Sequence, residues 1–218
     1  MSKKDKLLEI AQKIRSCQKC SLYKKASKAV PGEGSPKAEI FFVGEGPGFH
    51  EDQQGRPFVG AAGKLLDKLL EETGLSRKDV FIGNMIKHRP PENRDPEPDE
   101  LAACKEWLDA QLGVIQPKVI VTLGRFSMTK FIPNAKISQI HGQSRFINYQ
   151  GRKTLVMPMY HPAAALRNGR VMEQFREDFL RLPDFLARFK KLVEELPEMV
   201  ENEEIEKEEN QEQQMSLI

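Results

Sequence analysis

The chain has 218 residues, 39% hydrophobic and 30% charged, the balance of a water-soluble protein with one α/β domain and a tail, and short for two full domains. Apolar runs stay well under 18 residues, and the charged start MSKKDKLLEIAQKIR lacks the apolar stretch of a secretory leader, so a membrane partner is not expected; three cysteines, an odd number, make the reducing cytoplasm the expected location. The net charge of +2 hides a division: residues 194–212 hold ten Glu and one Lys, a charge of −9, and the rest of the chain carries +11.

A basic body joined to an acidic tail suits a polyanion such as DNA, although charge alone leaves an ordinary solvated surface ahead. Along the chain, Leu7, Leu8, Ile10, Ala11 and Ile14 place an apolar stripe on a helix over 4–16. CQKC follows at 17–20, part of an odd set of three cysteines that makes no disulfide framework and points to metal or catalysis. EIFFV at 39–43 reads as a buried strand closed by GEGPG, and GKLLDKLLEETG at 63–74 as an amphipathic helix ended by Gly74. DVFIGN at 79–84 is a second strand. RPPENRDPEPDE at 89–100 is too rich in proline for regular structure until Asp99, which is expected to cap a helix through Leu112. KVIVTLG at 118–124 is a third strand, and 146–149 and 153–160 pair around Gln150-Gly151. One helix is expected over 171–193, then a Glu- and Gln-rich disordered tail over 194–218, so residues 1–193 form the domain.

Strands alternating with helices predict a mostly parallel sheet covered on both faces, with ligands beyond the carboxyl ends of the strands. There the sequence places GEGPG, Asn84, Gly124-Arg125 and Tyr160-His161-Pro162.

The segments GEGPGFHEDQQGRPFVGAAGKLL (44–66), Asn84 with KHRPPENRDP (87–96), and YHPAAALR (160–167) together closely resemble the family 4 uracil-DNA glycosylases, in order and spacing, over about residues 7–190. The resemblance implies a three-layer α/β/α fold around a four-stranded parallel sheet, a [4Fe–4S] cluster, and hydrolysis of the glycosidic bond of deoxyuridine in single- or double-stranded DNA. By this resemblance Asn84 reads the uracil edge, because an amide both donates and accepts; by residue type alone it is a strand-end turn residue. Phe58 is the stacking residue, against a commoner fate as core. Backbone amides around Glu45 and Gly46 approach uracil O2, and His161 stabilises the departing anion there. Family 4 carries Gly at the position of Gly46, where other uracil glycosylases place an Asp, so the obvious general base is missing. Glu51 matches a functional family carboxylate that either orients water or excludes thymine. Leu166 and Arg167 suit a wedge in the base stack and a phosphate contact, although AAALR alone reads as a helix start.

The metal site departs from the family. Cys17, Cys20 and Cys104 match three of its four cysteines, and the fourth position falls at Lys87-His88-Arg89. His88 is therefore the candidate ligand, with 67 residues between Cys20 and His88 and 15 between His88 and Cys104. Zinc in a Cys3His site, or a cluster with three ligands, is the other reading. Relatives that cross-link to uracil share such a His but carry an added basic loop that RPPENRDP lacks, so that chemistry is not expected. His50 and His141 are read as surface residues. The terminal QMSLI (214–218) resembles the peptide that binds sliding clamps, at even odds with an incidental terminus. The expected protein is a monomeric, monofunctional, nucleoid-associated uracil-DNA glycosylase. The competing readings are a uracil- or damage-binding module with little turnover, and a redox-active iron–sulfur protein.

Overall fold

The computed structural model describes the main chain of residues 1–195 and the side chains of residues 1–191. Residues 1–182 form one compact unit and residues 183–218 a second. Within the first, α1 (Lys3–Arg15) leads through a 3-10 turn (Ser21–Lys24) to a two-residue strand, β1 (Glu33–Gly34). Then come β2 (Ile40–Gly44), α2 (Phe49–Gln54), α3 (Ala61–Glu72), β3 (Phe81–Asn84), a 3-10 turn (Pro91–Asn93), α4 (Pro98–Ile115) and β4 (Val119–Leu123). The short α5 (Arg125–Phe131) and α6 (Ile137–Ile140) precede β5 (Arg145–Tyr149) and β6 (Arg152–Met159), and α7 (Pro162–Ala165) and α8 (Gly169–Leu180) follow. The last helix, α9, covers Leu182–Glu195 and starts at the final residue of the first unit.

The sheet order is β1-β3-β2-β4-β6-β5. Its centre, β3-β2-β4-β6, is parallel throughout, as the sequence leads one to expect, and β1 and β5 add antiparallel edges. Every residue of β2, β3 and β4 is buried, because helices cover both faces of a parallel sheet. Successive side chains serve opposite layers. Phe41 and Val43 join the core made with Leu108, Leu112 and Ile115 of α4 and with Met128 and Phe131 of α5. Phe42 stacks on Phe179 of α8, ring centres 5.6 Å apart.

Several boundaries differ from the sequence reading by a few residues, α4 running to Ile115 rather than Leu112 among them, and two differences have a direct physical cause. α4 starts at Pro98, with Glu97 as its N-cap and Glu100 completing a capping box, so Asp99 is already inside the helix. The helix expected over 171–193 is two helices, parted at Arg181; Pro183 has no N–H to continue the ladder but fits a new first turn.

Candidate active site

A cavity of about 550 Å³ opens at the carboxyl ends of the parallel strands. The loop after β2 supplies Glu45 and Gly46, the end of β3 supplies Asn84, the turn after β4 supplies Arg125, and the turn after β6 supplies Tyr160 and His161; Glu51, Phe58 and Arg167 complete the wall. The structure thus brings together the residues singled out for base reading, stacking and leaving-group stabilisation.

Asn84 is 1% exposed, and its Oδ1 has no hydrogen-bond partner. A buried carbonyl oxygen without a donor is costly and rare in folded proteins, so it marks a place where a ligand donor fits. Pairing continues past the strand end: Met85 N–H donates to Gly44 O at 2.9 Å and Ile86 N–H to Glu45 O at 3.1 Å, fixing the two loops side by side. A Cβ on Gly44 would collide with Asn84 Oδ1 and come within 2.6 Å of the Phe58 ring, so glycine is what admits both side chains. A Cβ on Gly46 would lie 2.7 Å from Ile86, which fills the space that a longer side chain there would need.

Phe58 has φ +51°, a left-handed conformation unusual for an aromatic residue. Its loop is held from both sides. Arg77 donates to Phe58 O and, at 2.9 Å, to Pro57 O; Glu51 Oε1 accepts from the Val59 and Gly60 N–H groups at 2.8 Å each. Glu51 therefore lines the cavity with one oxygen already committed to the stacking loop. Its neighbour Asp52 faces the other way and accepts from Ser27 N–H at 2.8 Å and Lys28 N–H at 3.3 Å, tying the segment after the 3-10 turn to α2.

His161 caps α7, and its Nδ1 accepts from Ala163 N–H at 3.1 Å. That bond assigns the proton of the neutral ring to Nε2. Burial pulls its pKa down to about 4, against the opposing pull of Glu51, so the ring is neutral at physiological pH. It stacks at 5.8 Å from Phe58. Burial raises the pKa of Glu45, and the nearby Asp95 carboxylate adds to the rise while Arg125 opposes it. Leu166, 48% exposed, and Arg167 follow α7 at the rim, so AAALR is both a short helix and an exposed apolar–cationic pair.

The candidate metal ligands lie around neighbouring spaces. Cys17 and His88 line a second cavity of about 520 Å³. Cys20 and Trp107 pack against a cluster of Leu22, Ile86 and Cys104. Burial pushes the Cys104 thiol up to about 11, and the main-chain N–H of Lys87 donates to its sulfur. Trp107 Nε1–H is buried without an acceptor. Among the described residues, no three His, Cys, Asp or Glu side chains converge on a point that would hold a single ion.

Sequence reasoning passes over two arrangements. His141, read as a surface residue, bonds through Nδ1 to buried Asp178 at 2.7 Å and packs its ring 4.6 Å from that of Tyr160; His50 is exposed, as expected, and lies edge-on to Phe49. Lys87 is wholly buried. Partners 24 or 37 positions away leave no local signal in a single sequence.

The family model described as the uracil DNA glycosylase superfamily matches residues 31–183. The type-4 uracil-DNA glycosylase of Sulfurisphaera tokodaii is 50% identical over 185 residues, 82% of this chain and 84% of its own length. That of Archaeoglobus fulgidus is 45% identical, covering 84% of this chain and 95% of its own. The type-4 uracil-DNA glycosylase of Thermotoga maritima is 44% identical, covering 77% of this chain and 88% of its own.

Proposed function

The chain belongs to the uracil-DNA glycosylase superfamily, alongside its type-4 enzymes, and on that premise we propose that its pocket receives a uracil flipped out of DNA and hydrolyses the bond to deoxyribose, leaving an abasic site. The observation that carries this reading is the unpartnered Oδ1 of Asn84. Uracil N3–H supplies the missing donor, and the amide nitrogen of the same side chain donates to O4. Cytosine has no N3–H and presents an amino group at position 4, so it mismatches both. Phe58 gives the ring an aromatic face, and Gly44 lets the two residues approach together.

As the C1′–N1 bond breaks, its electron pair leaves with the base, where the charge spreads onto O2. The Nε2–H of neutral His161 meets that charge, with the main chain around Glu45 and Gly46 beside it. Water adds to C1′ of the sugar cation and gives up a proton. Glu45, with its raised pKa, suits a proton acceptor. Glu51, bonded through Oε1, suits a fixed negative charge facing the cation. Leu166 fills the vacated stack and Arg167 holds a phosphate.

Cys17, Cys20, His88 and Cys104 would hold a [4Fe–4S] cluster whose contribution is to tie loops together. Two observations fit it: the main-chain N–H of Lys87 donating to the Cys104 sulfur, and the unpartnered indole N–H of Trp107 beside Cys20 and Cys104. Among the described residues no helix is long and apolar enough to cross a membrane. The nucleoid location and monomeric state are part of the proposal. Residues 194–218, with the clamp-binding peptide at 214–218, lie outside the described side chains.

Incubation with uracil-containing oligonucleotides, single- and double-stranded, tests the reading. Free uracil and alkali-labile sites in equal amounts are expected. Binding without release of uracil would leave a recognition module.

A further inference from the structure

Asn84 presents a puzzle of placement. Its side-chain oxygen has no protein partner, so nothing on that side fixes the carboxamide before a base arrives. Its position has to come from the main chain. Lys87, three residues on and 0% exposed, donates from Nζ to the main-chain oxygen of Asn84 at 2.9 Å and to Oε1 of Gln111 at 2.8 Å. Both acceptors are neutral. Gln111, itself buried, passes the connection on by donating from Nε2 to Pro31 O at 2.6 Å. The main chain of Lys87 is as fully used. Its carbonyl accepts from Val30 N–H at 2.7 Å, and its N–H donates to the Cys104 sulfur.

A buried ammonium among neutral acceptors is an expensive way to fill space, since an apolar side chain of similar length would pack there without the desolvation cost. What the ammonium adds is geometry: Nζ joins the end of β3 to the C-terminal half of α4, and Gln111 carries the link on to the chain entering β1. We propose that Lys87 is a positioning residue for uracil recognition, holding Asn84 by its main-chain carbonyl at the depth where the carboxamide meets the base. This rests on the reading of Asn84 as the uracil reader, and the test separates the two.

Lys87→Met keeps the length and removes the donor. It is to be compared with Asn84→Ala, the double variant, and Phe131→Leu, a core substitution on α5 that reports the effect of general destabilisation. Each full-length protein is assayed for kcat and KM on a single-stranded uracil oligonucleotide, inhibition by free uracil, and thermal midpoint. The expected result for K87M is at least tenfold weaker uracil inhibition and at least tenfold lower kcat, with KM for DNA within about threefold. F131L should keep its uracil inhibition within about twofold even where its midpoint drops as far. In the N84A background, K87M should cost less than a further threefold, because it acts through the residue already removed. Should K87M fail to fold, Gln111→Met takes its place in the same cycle, with a smaller loss that again disappears in N84A. Uracil inhibition within twofold of the parent, or losses that multiply with those of N84A, would overturn the proposal. If N84A itself leaves uracil inhibition unchanged, the reading of Asn84 fails first.

Discussion

His161 shows how burial sets a chemical role. Its pKa of about 4 and the bond from Ala163 N–H to Nδ1 leave a neutral ring with its proton on Nε2, a donor over the whole neutral range. An exposed histidine titrates near 6.5, so no histidine inflection between pH 6 and 7.5 is expected in the pH–kcat profile; the His161 limb should appear only as the pH drops toward 4, and Glu45, held above its ordinary value by burial, takes up its proton at a higher pH than a free carboxylate. The same depression has a stability consequence. The unfolded histidine binds its proton near pH 6.5 and the folded one near 4, so the contribution of this residue is complete above the higher value and declines as pH falls between them. Gly46 makes a second residue-level argument. An Asp here would restore the carboxylate of other uracil glycosylases, but its Cβ would press on Ile86 at 2.7 Å. Gly46→Asp alone should therefore lower kcat at least tenfold, and adding Ile86→Ala should recover part of the loss; a fully active single variant would show that Ile86 yields freely.

At the scale of elements, five residues from the end of β3 reach two spaces: Asn84 lines the cavity at the strand ends and His88 the one shared with Cys17. His88→Ala should lose iron and lower the thermal midpoint, whereas His88→Cys should keep the iron and lower the reduction potential, since thiolate adds a negative charge that neutral imidazole lacks. Full iron content in H88A with an unchanged potential would make His88 a bystander. Much of this architecture was legible beforehand. EIFFV, DVFIGN and KVIVTLG are short apolar runs bounded by turn residues, and α3 carries a clear apolar face. The remainder was hidden for physical reasons. α2, α5 and α6 span two turns or fewer, too short for a 3.6-residue period to register, and β1 has two residues. The left-handed conformation of Phe58 is held by bonds from Arg77 and Glu51 to its loop, which local sequence does not connect to it. Lys87 reads as one more surface cation until α4 is packed beside it.

For the whole molecule, the parallel sheet gathers four strand ends at one edge, and α2 links what lies on either side. Glu51 holds the stacking loop while Asp52 holds the segment leading from Cys20. The division of charge, +11 against −9, leaves the cationic excess outside the acidic stretch, as the proposed polyanionic substrate requires. Deleting residues 214–218 should abolish capture on an immobilised sliding clamp and leave excision on naked oligonucleotides unchanged; clamp binding that survives the deletion would remove that peptide from the account. The central claim is that one pocket reads uracil through Asn84 and cuts its glycosidic bond. Losing hydrogen bonds to a buried polar group costs about 1–3 kcal/mol each, so two bonds predict at least a tenfold effect. The direct measurement is the single-turnover excision rate of the parent and of Asn84→Ala on oligonucleotides carrying one uracil, cytosine or thymine. The account predicts release of uracil alone by the parent and a rate at least tenfold lower for the variant, with the fold retained. Uracil left intact by the parent, or an undiminished rate in N84A, would contradict it.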